Sequence, residues 1–122
     1  MWLVFLLPLT NLQQQPSLTG WWEGQSHCVG NHPSCHEEKT LYQFTGAGQS
    51  IVLHGFRMAG ADTVNMGDLS CTATTAPVGV TCPIPVGTWR FWLQDDHLEG
   101  TLTDRDGTVS RQVRATRRRA TH

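Results

Sequence analysis

From Leu18 onward the chain alternates apolar and polar residues in short runs, each closed by a cluster of turn-forming residues. Leu18 to Cys28 places Trp21 and Trp22 ahead of small and polar positions, and Lys39 to Thr45 sets Tyr42 and Phe44 on one face with Leu41 on the other. Ser50 to Met58 is β-branched and apolar, with Gly55 suited to a bend or bulge. Asn65 to Thr72 and Val78 to Cys82 are shorter runs. Gly87 to Asp95 alternates Trp89, Phe91 and Leu93 against Arg90, Trp92 and Gln94, and Leu98 to Asp104 and Thr108 to Arg117 complete the series. A capped 3.6-residue period is missing throughout, so the pattern predicts strands and no helix.

The connectors read as hairpins. Asp95-Asp96-His97 is a tight link, Asp104 to Gly107 ends in Asp-Gly, and Gly46 to Gln49 and Thr75 to Pro77 punctuate in the same way. Seven or eight short strands joined by local turns predict an all-β domain, an antiparallel sheet closed into a barrel or folded as a sandwich. Closure is favoured because it removes exposed strand edges. The predicted domain spans residues 18–117, a length that leaves no room for a second one.

Two features change the picture from fold to compartment. Met1 to Leu9 is an apolar run, far short of the ~20 residues that cross a bilayer. With the polar spacer that follows, residues 1–17 are expected to be a signal peptide, although no basic n-region or A-x-A site accompanies it; an uncleaved apolar arm is the alternative. The four cysteines, Cys28, Cys35, Cys71 and Cys82, then suggest disulfides in a periplasmic or secreted protein. They admit three connectivities, of which the two local pairs, Cys28–Cys35 and Cys71–Cys82, close the shortest loops. The formal net charge of -1 offers no global attraction to nucleic acid. Six of the nine basic residues lie beyond position 100 (Arg105, Arg111, Arg114, Arg117, Arg118 and Arg119), and residues 118–122 read as a basic, disordered tail.

The succession WWEGQSHC, PSCHEE, MGDLSC, a later cysteine, GTWRFWL and LEGTLTDRDG, with a G-x-W at Gly20-Trp21-Trp22 and arginines on the last strand, resembles a group of small exported bacterial proteins with a lipocalin-like barrel and no established activity. The resemblance covers nearly all of the chain after the leader and implies that a first-strand tryptophan, Trp22, packs at the closed end beneath a last-strand arginine. By face this arginine is Arg111, which falls with Val109 and Val113.

Candidate chemistry is sparse. His27, Cys28, His32, Cys35, His36, Glu37 and Glu38 crowd one segment with the residue types of a zinc shell, but Cys-x6-Cys is not a usual zinc spacing, and a disulfide removes both thiolates. No metal and no cofactor is therefore expected. His54, on the face of Val52 and Phe56, reads as a satisfied core histidine. Asp104 to Gly107 lacks the further ligands of a calcium loop. The chain contains no G-x-S-x-G, H-E-x-x-H or phosphate-binding glycine loop, which leans away from an enzyme.

These observations point to binding. Trp22, Tyr42, Phe44, Trp89 and Phe91 are expected to line or fill the barrel, which at eight strands is just wide enough for one small ligand, with Arg111 closing it. The expected partner is a small apolar or amphipathic molecule. The alternative is a protein partner: an inhibitor of a protease or cell-wall hydrolase acting through the stapled 28–35 loop.

Overall fold

The computed structural model describes residues 17–30 and 33–118; the expected leader (Ser17 apart) and the expected basic tail (Arg118 apart) lie outside them. Among the described residues eight strands follow one another: β1 (Gly20–Cys28), β2 (Glu38–Ala47), β3 (Ser50–Ala59), β4 (Asp62–Thr75), β5 (Val78–Ile84), β6 (Gly87–Gln94), β7 (His97–Asp104) and β8 (Val109–Arg117). They form a closed antiparallel barrel in sequence order, so every connection is a local hairpin or loop. No helix among the described residues is long and apolar enough to cross a membrane.

Closure rests on β1 and β8. Their register runs from Trp22 opposite Arg117 to Cys28 opposite Arg111. Two further backbone bonds lengthen the seam, Val29 N to Ser110 O at one end and Arg118 N to Trp21 O at the other. Gly24 permits the close approach: a Cβ there would lie 2.0 Å from the Arg114 carbonyl oxygen. With closure fixed, alternation sends Trp22, Tyr42, Phe44, Leu53, Val80, Phe91, Leu98, Val113 and Ala115 inward, where all are buried.

The sequence pattern and the structure agree on the hairpins and differ most at β4. It extends from Asp62 to Thr75, well beyond the expected 65–72, because Asp62 to Asp68 pairs along β3 while remaining exposed and thus shows no apolar alternation. The register shifts between Gly55 and Phe56, at the glycine the sequence marks for a bulge. On its other side β4 pairs with β5 over four residues only, Thr72 opposite Thr81 to Thr75 opposite Val78. The next opposed pair is Cys71 and Cys82, bonded to each other with Cα atoms 4.2 Å apart. Cys28 and Cys35 form the second disulfide across the β1–β2 loop, as the local pairing predicts. Closing loops of this length stabilises a domain by ~2–3 kcal/mol each in the chain-entropy description. Two disulfides in so small a domain point to an oxidising, extracytoplasmic compartment.

One end of the barrel is sealed. The Trp22 indole N–H donates to the Leu18 carbonyl at 2.9 Å, and Leu18 is itself buried beneath the strands. The Arg117 guanidinium lies 4.3 Å above the Trp22 ring and donates to the carbonyls of Thr19 and Ser17 at 2.9 and 2.5 Å. Arg117 therefore does what the sequence pattern assigns to Arg111. Both point inward, but the β1–β8 register sets Arg111 beside Cys28 at the opposite end.

Two substitutions test this packing. Arg117→Ala removes a cation–π contact and two hydrogen bonds to backbone, and is expected to lower unfolding free energy by about 1–2 kcal/mol in urea titrations followed by tryptophan fluorescence. A Cβ at Gly100 would meet the Phe91 ring at 2.6 Å, so Gly100→Ala should cost about 1–3 kcal/mol through overpacking. A Gly100→Ala protein as stable as the parent would show that the Phe91 ring is free to move.

Candidate functional site

The interior is divided. Near the sealed end Trp22, Phe44, Val80, Leu98, Val113 and Ala115 fill the barrel. Toward the other end the strands β1 to β4 contribute small side chains inward, Ser26, Thr40, Gly55 and Gly67, and these leave a cavity of about 390 Å³. That volume lies at the lower end of the ~300–1,000 Å³ usual for small-molecule pockets. Its apolar wall is Tyr42, Leu53, Leu69, Ile84, Trp89, Phe91 and Leu102. Phe91 organises this wall: it stacks on Trp89 at 5.5 Å, meets Tyr42 at 5.3 Å and takes Phe44 edge-on at 5.6 Å.

Three of the five aromatic residues expected at a ligand site, Tyr42, Trp89 and Phe91, thus line one cavity. Trp22 and Phe44 do not: they belong to the packed end, each 1% exposed. Arg111 lines the cavity at its mouth instead of closing the barrel over Trp22. Its guanidinium donates to Ser26 Oγ at 2.8 Å and to the His36 carbonyl at 2.9 Å, which ties the disulfide-bonded β1–β2 loop to the barrel rim.

The mouth holds two charged residues: Arg57, which the sequence pattern does not single out, and Glu38, which it marks only as part of the histidine- and cysteine-rich 27–38 segment. Glu38 Oε1 lies 3.7 Å from Arg111 Nη1, and its Oε2 lies 3.9 Å from Arg57 Nε. Alternation does place Glu38 and Arg57 inward with Thr40 and Tyr42, yet charged residues near strand ends look like ordinary surface positions in a sequence. Deeper in, the Thr40 hydroxyl is buried without a hydrogen bond of good geometry. Burial pushes the neighbouring Tyr42 phenol up to about 12, with the Thr40 hydroxyl drawing it partly back. Exposed apolar side chains sit on the same rim: Met66 and Val64 on β4, and Val86 in the β5–β6 turn.

The histidines face elsewhere. His27 Nδ1 and Glu37 Oε1 are 2.5 Å apart, and Glu37 Oε2 accepts the Cys28 N–H. The His27 bond, then the Cys28 bond, hold the Glu37 carboxyl below its usual value. Both contacts anchor the loop. His36 enters through its backbone carbonyl, and His32 lies outside the described residues. His54 is satisfied, as expected, but on the outer surface and not in the core: its Nδ1 lies 2.8 Å from Asp68 Oδ1 and its Nε2 3.1 Å from Thr45 Oγ1. The face shared with Val52 and Phe56 is the exterior of β3, because Leu53 points inward. Asp104 to Thr108 is a hairpin turn, closed by Asp104 N to Thr108 O at 2.7 Å and capped by Asp106.

Set against known proteins, the chain matches no protein-family model and no curated protein. What the site does must therefore be argued from its own geometry.

Tyr42 is the chain's one tyrosine, so its ionisation is separately visible. Titration by ultraviolet difference absorbance should place it near 12. A phenol raised on folding stabilises the native state fully below about pH 10, its unfolded value, and that contribution fades as pH rises toward 12. Stability measured across that interval should fall in the parent and stay flatter in Tyr42→Phe. An ordinary Tyr42 titration near 10 would mean that water reaches the phenol freely.

Proposed function

We propose that the chain is an exported, lipocalin-like barrel that carries a small apolar or amphipathic molecule in the open half of its interior, in the periplasm or outside the cell. The observation that carries this reading is the coexistence of a sealed end and a cavity of about 390 Å³ walled by Tyr42, Trp89 and Phe91. A fold that needed only stability would repeat the dense packing of the Trp22 end throughout, since unfilled volume costs stabilisation. The apolar rim of Val64, Met66 and Val86 supports entry of an apolar ligand from that side. The two disulfides fit a protein that works where no reductant protects thiols.

The test uses N-phenyl-1-naphthylamine, a neutral probe that fluoresces in apolar surroundings. The parent protein should light the probe and bind it saturably. Leu102→Trp puts an indole into the cavity and should abolish that signal while the circular dichroism of the barrel persists; Ile84→Trp serves as a second filling variant should the first fail to fold. Probe binding unaffected by a folded filling variant, or a parent that leaves the probe dark, overturns the carrier reading. Excising residues 32–34 should leave probe binding intact. Its loss on excision would move the binding surface to the stapled loop, the expectation for an inhibitor.

A further inference from the structure

We propose that the cavity mouth is a head-group site for a single carboxylate, so that the preferred ligand is an anionic amphiphile whose tail occupies the aromatic wall. The inference rests on the carrier reading and specifies its ligand class. Arg57 and Arg111 both reach the rim, and Glu38 is the acidic side chain between them. Two guanidinium groups against one carboxylate leave one positive charge facing an apolar cavity, where attraction is screened less than in bulk water.

The hydrogen-bond inventory agrees. Arg111 uses one N–H on Ser26 Oγ and one on the His36 carbonyl, which leaves donors of its five free, and the Glu38 distance of 3.7 Å is too long for a hydrogen bond. Among the described residues Arg57 donates no hydrogen bond of good geometry, its nearest acid being Glu38 at 3.9 Å. Deeper in the same cavity the buried Thr40 hydroxyl, beside the Tyr42 phenol, makes no hydrogen bond of good geometry, a condition native interiors rarely leave. A carboxylate held between Arg57 and Arg111 would neutralise the mouth and take up these donors. Glu37, the other acid near Arg111, is committed to His27 and Cys28 N and does not compete.

The ligand's remaining part is fixed by the wall below: Leu53, Leu69, Trp89, Phe91 and Leu102 present hydrocarbon and aromatic surface to a chain or ring. A neutral amphiphile would leave the positive charge uncompensated, and a cationic one would add to it.

The experiment compares decanoate, decanol and decylammonium, the ions below their micelle concentrations and the alcohol below its solubility, by displacement of N-phenyl-1-naphthylamine from the full chain. Decanoate should bind tightest, with an affinity that falls as salt is added. Arg57→Gln should weaken decanoate by about tenfold, the size of one charge-assisted hydrogen bond, and leave decanol unchanged. Glu38→Gln should act with the opposite sign and tighten decanoate. Arg57 is chosen because Arg111 also secures Ser26 and the β1–β2 loop. Decanol binding as tightly as decanoate, or decanoate indifferent to Arg57→Gln, overturns the head-group site while the carrier reading stands. Decylammonium binding tightest, with loss in Glu38→Gln, also overturns it and makes the mouth a cation site. If none of the three displaces the probe and the probe itself does not bind, the carrier reading falls too.

Discussion

The seam between β1 and β8 is the constraint from which the rest of this structure follows. A sheet becomes a barrel only when its first and last strands pair, and the register of that pairing fixes the height of every inward side chain relative to the ends. Here Trp22 stands opposite Arg117 and Cys28 opposite Arg111. The two arginines lie on one face of β8, separated by about 20 Å of strand. One covers an indole and straps the N-terminal segment across the floor; the other holds a loop at the rim and lines the cavity. A shift of two residues would keep both inward and remove both functions. Gly24 is where this register is enforced, since a side chain there collides with the β8 backbone.

That distinction between face and height explains what the sequence discloses. Alternation of apolar and polar residues is local, so it reveals the strands, the hairpins and the inward face of Tyr42, Phe44, Trp89 and Phe91. The disulfides are legible for the same reason, because each joins neighbours across one connection. The height of a residue along the barrel is not local. It depends on pairing between strands some ninety residues apart, and so a correct reading of Arg111 as inward leads to the wrong end of the barrel. Trp22 and Phe44 suffer the same displacement: they are inward aromatics, but below the cavity. Arg57 and Thr40 escape notice, and Glu38 is marked only for its histidine and cysteine neighbours, because polar residues at inward positions near strand ends look like ordinary surface in a sequence. His54 is the converse case, a histidine between apolar residues that faces outward and finds Asp68 and Thr45 on adjacent strands.

The unequal filling of the barrel follows from where large and small side chains fall along each strand. On β1 the inward order is Trp22, Gly24 and Ser26, and on β2 Phe44, Tyr42 and Thr40, so bulk declines from the sealed end to the mouth on both. β6 runs the other way and brings Trp89 toward the mouth, where it stacks on Phe91 and faces the thinned wall. One large aromatic group opposite several small residues leaves a cavity with a flat, apolar side and a polar opposite side. The packing that secures the fold and the cavity above it are therefore produced by the same graded set of side chains, and a change to Phe91, which touches both halves, affects each.

The β4–β5 seam shows how the fold tolerates an incomplete closure beside that space. Hydrogen-bonded pairing stops at Thr72 and Thr81, one position before the cysteines. Beyond them β4 continues alone against β3 and β5 against β6, with Pro83 on the unpartnered stretch, a residue that has no ladder hydrogen to donate. Met66, Leu69 and Ile84 border this gap and also line the cavity. A covalent bond placed where the ladder ends keeps the gap from propagating toward the sealed floor. The Cys71–Cys82 bridge thus lets the upper half of the barrel stay open while the lower half remains closed, and the cavity sits at the boundary between the two.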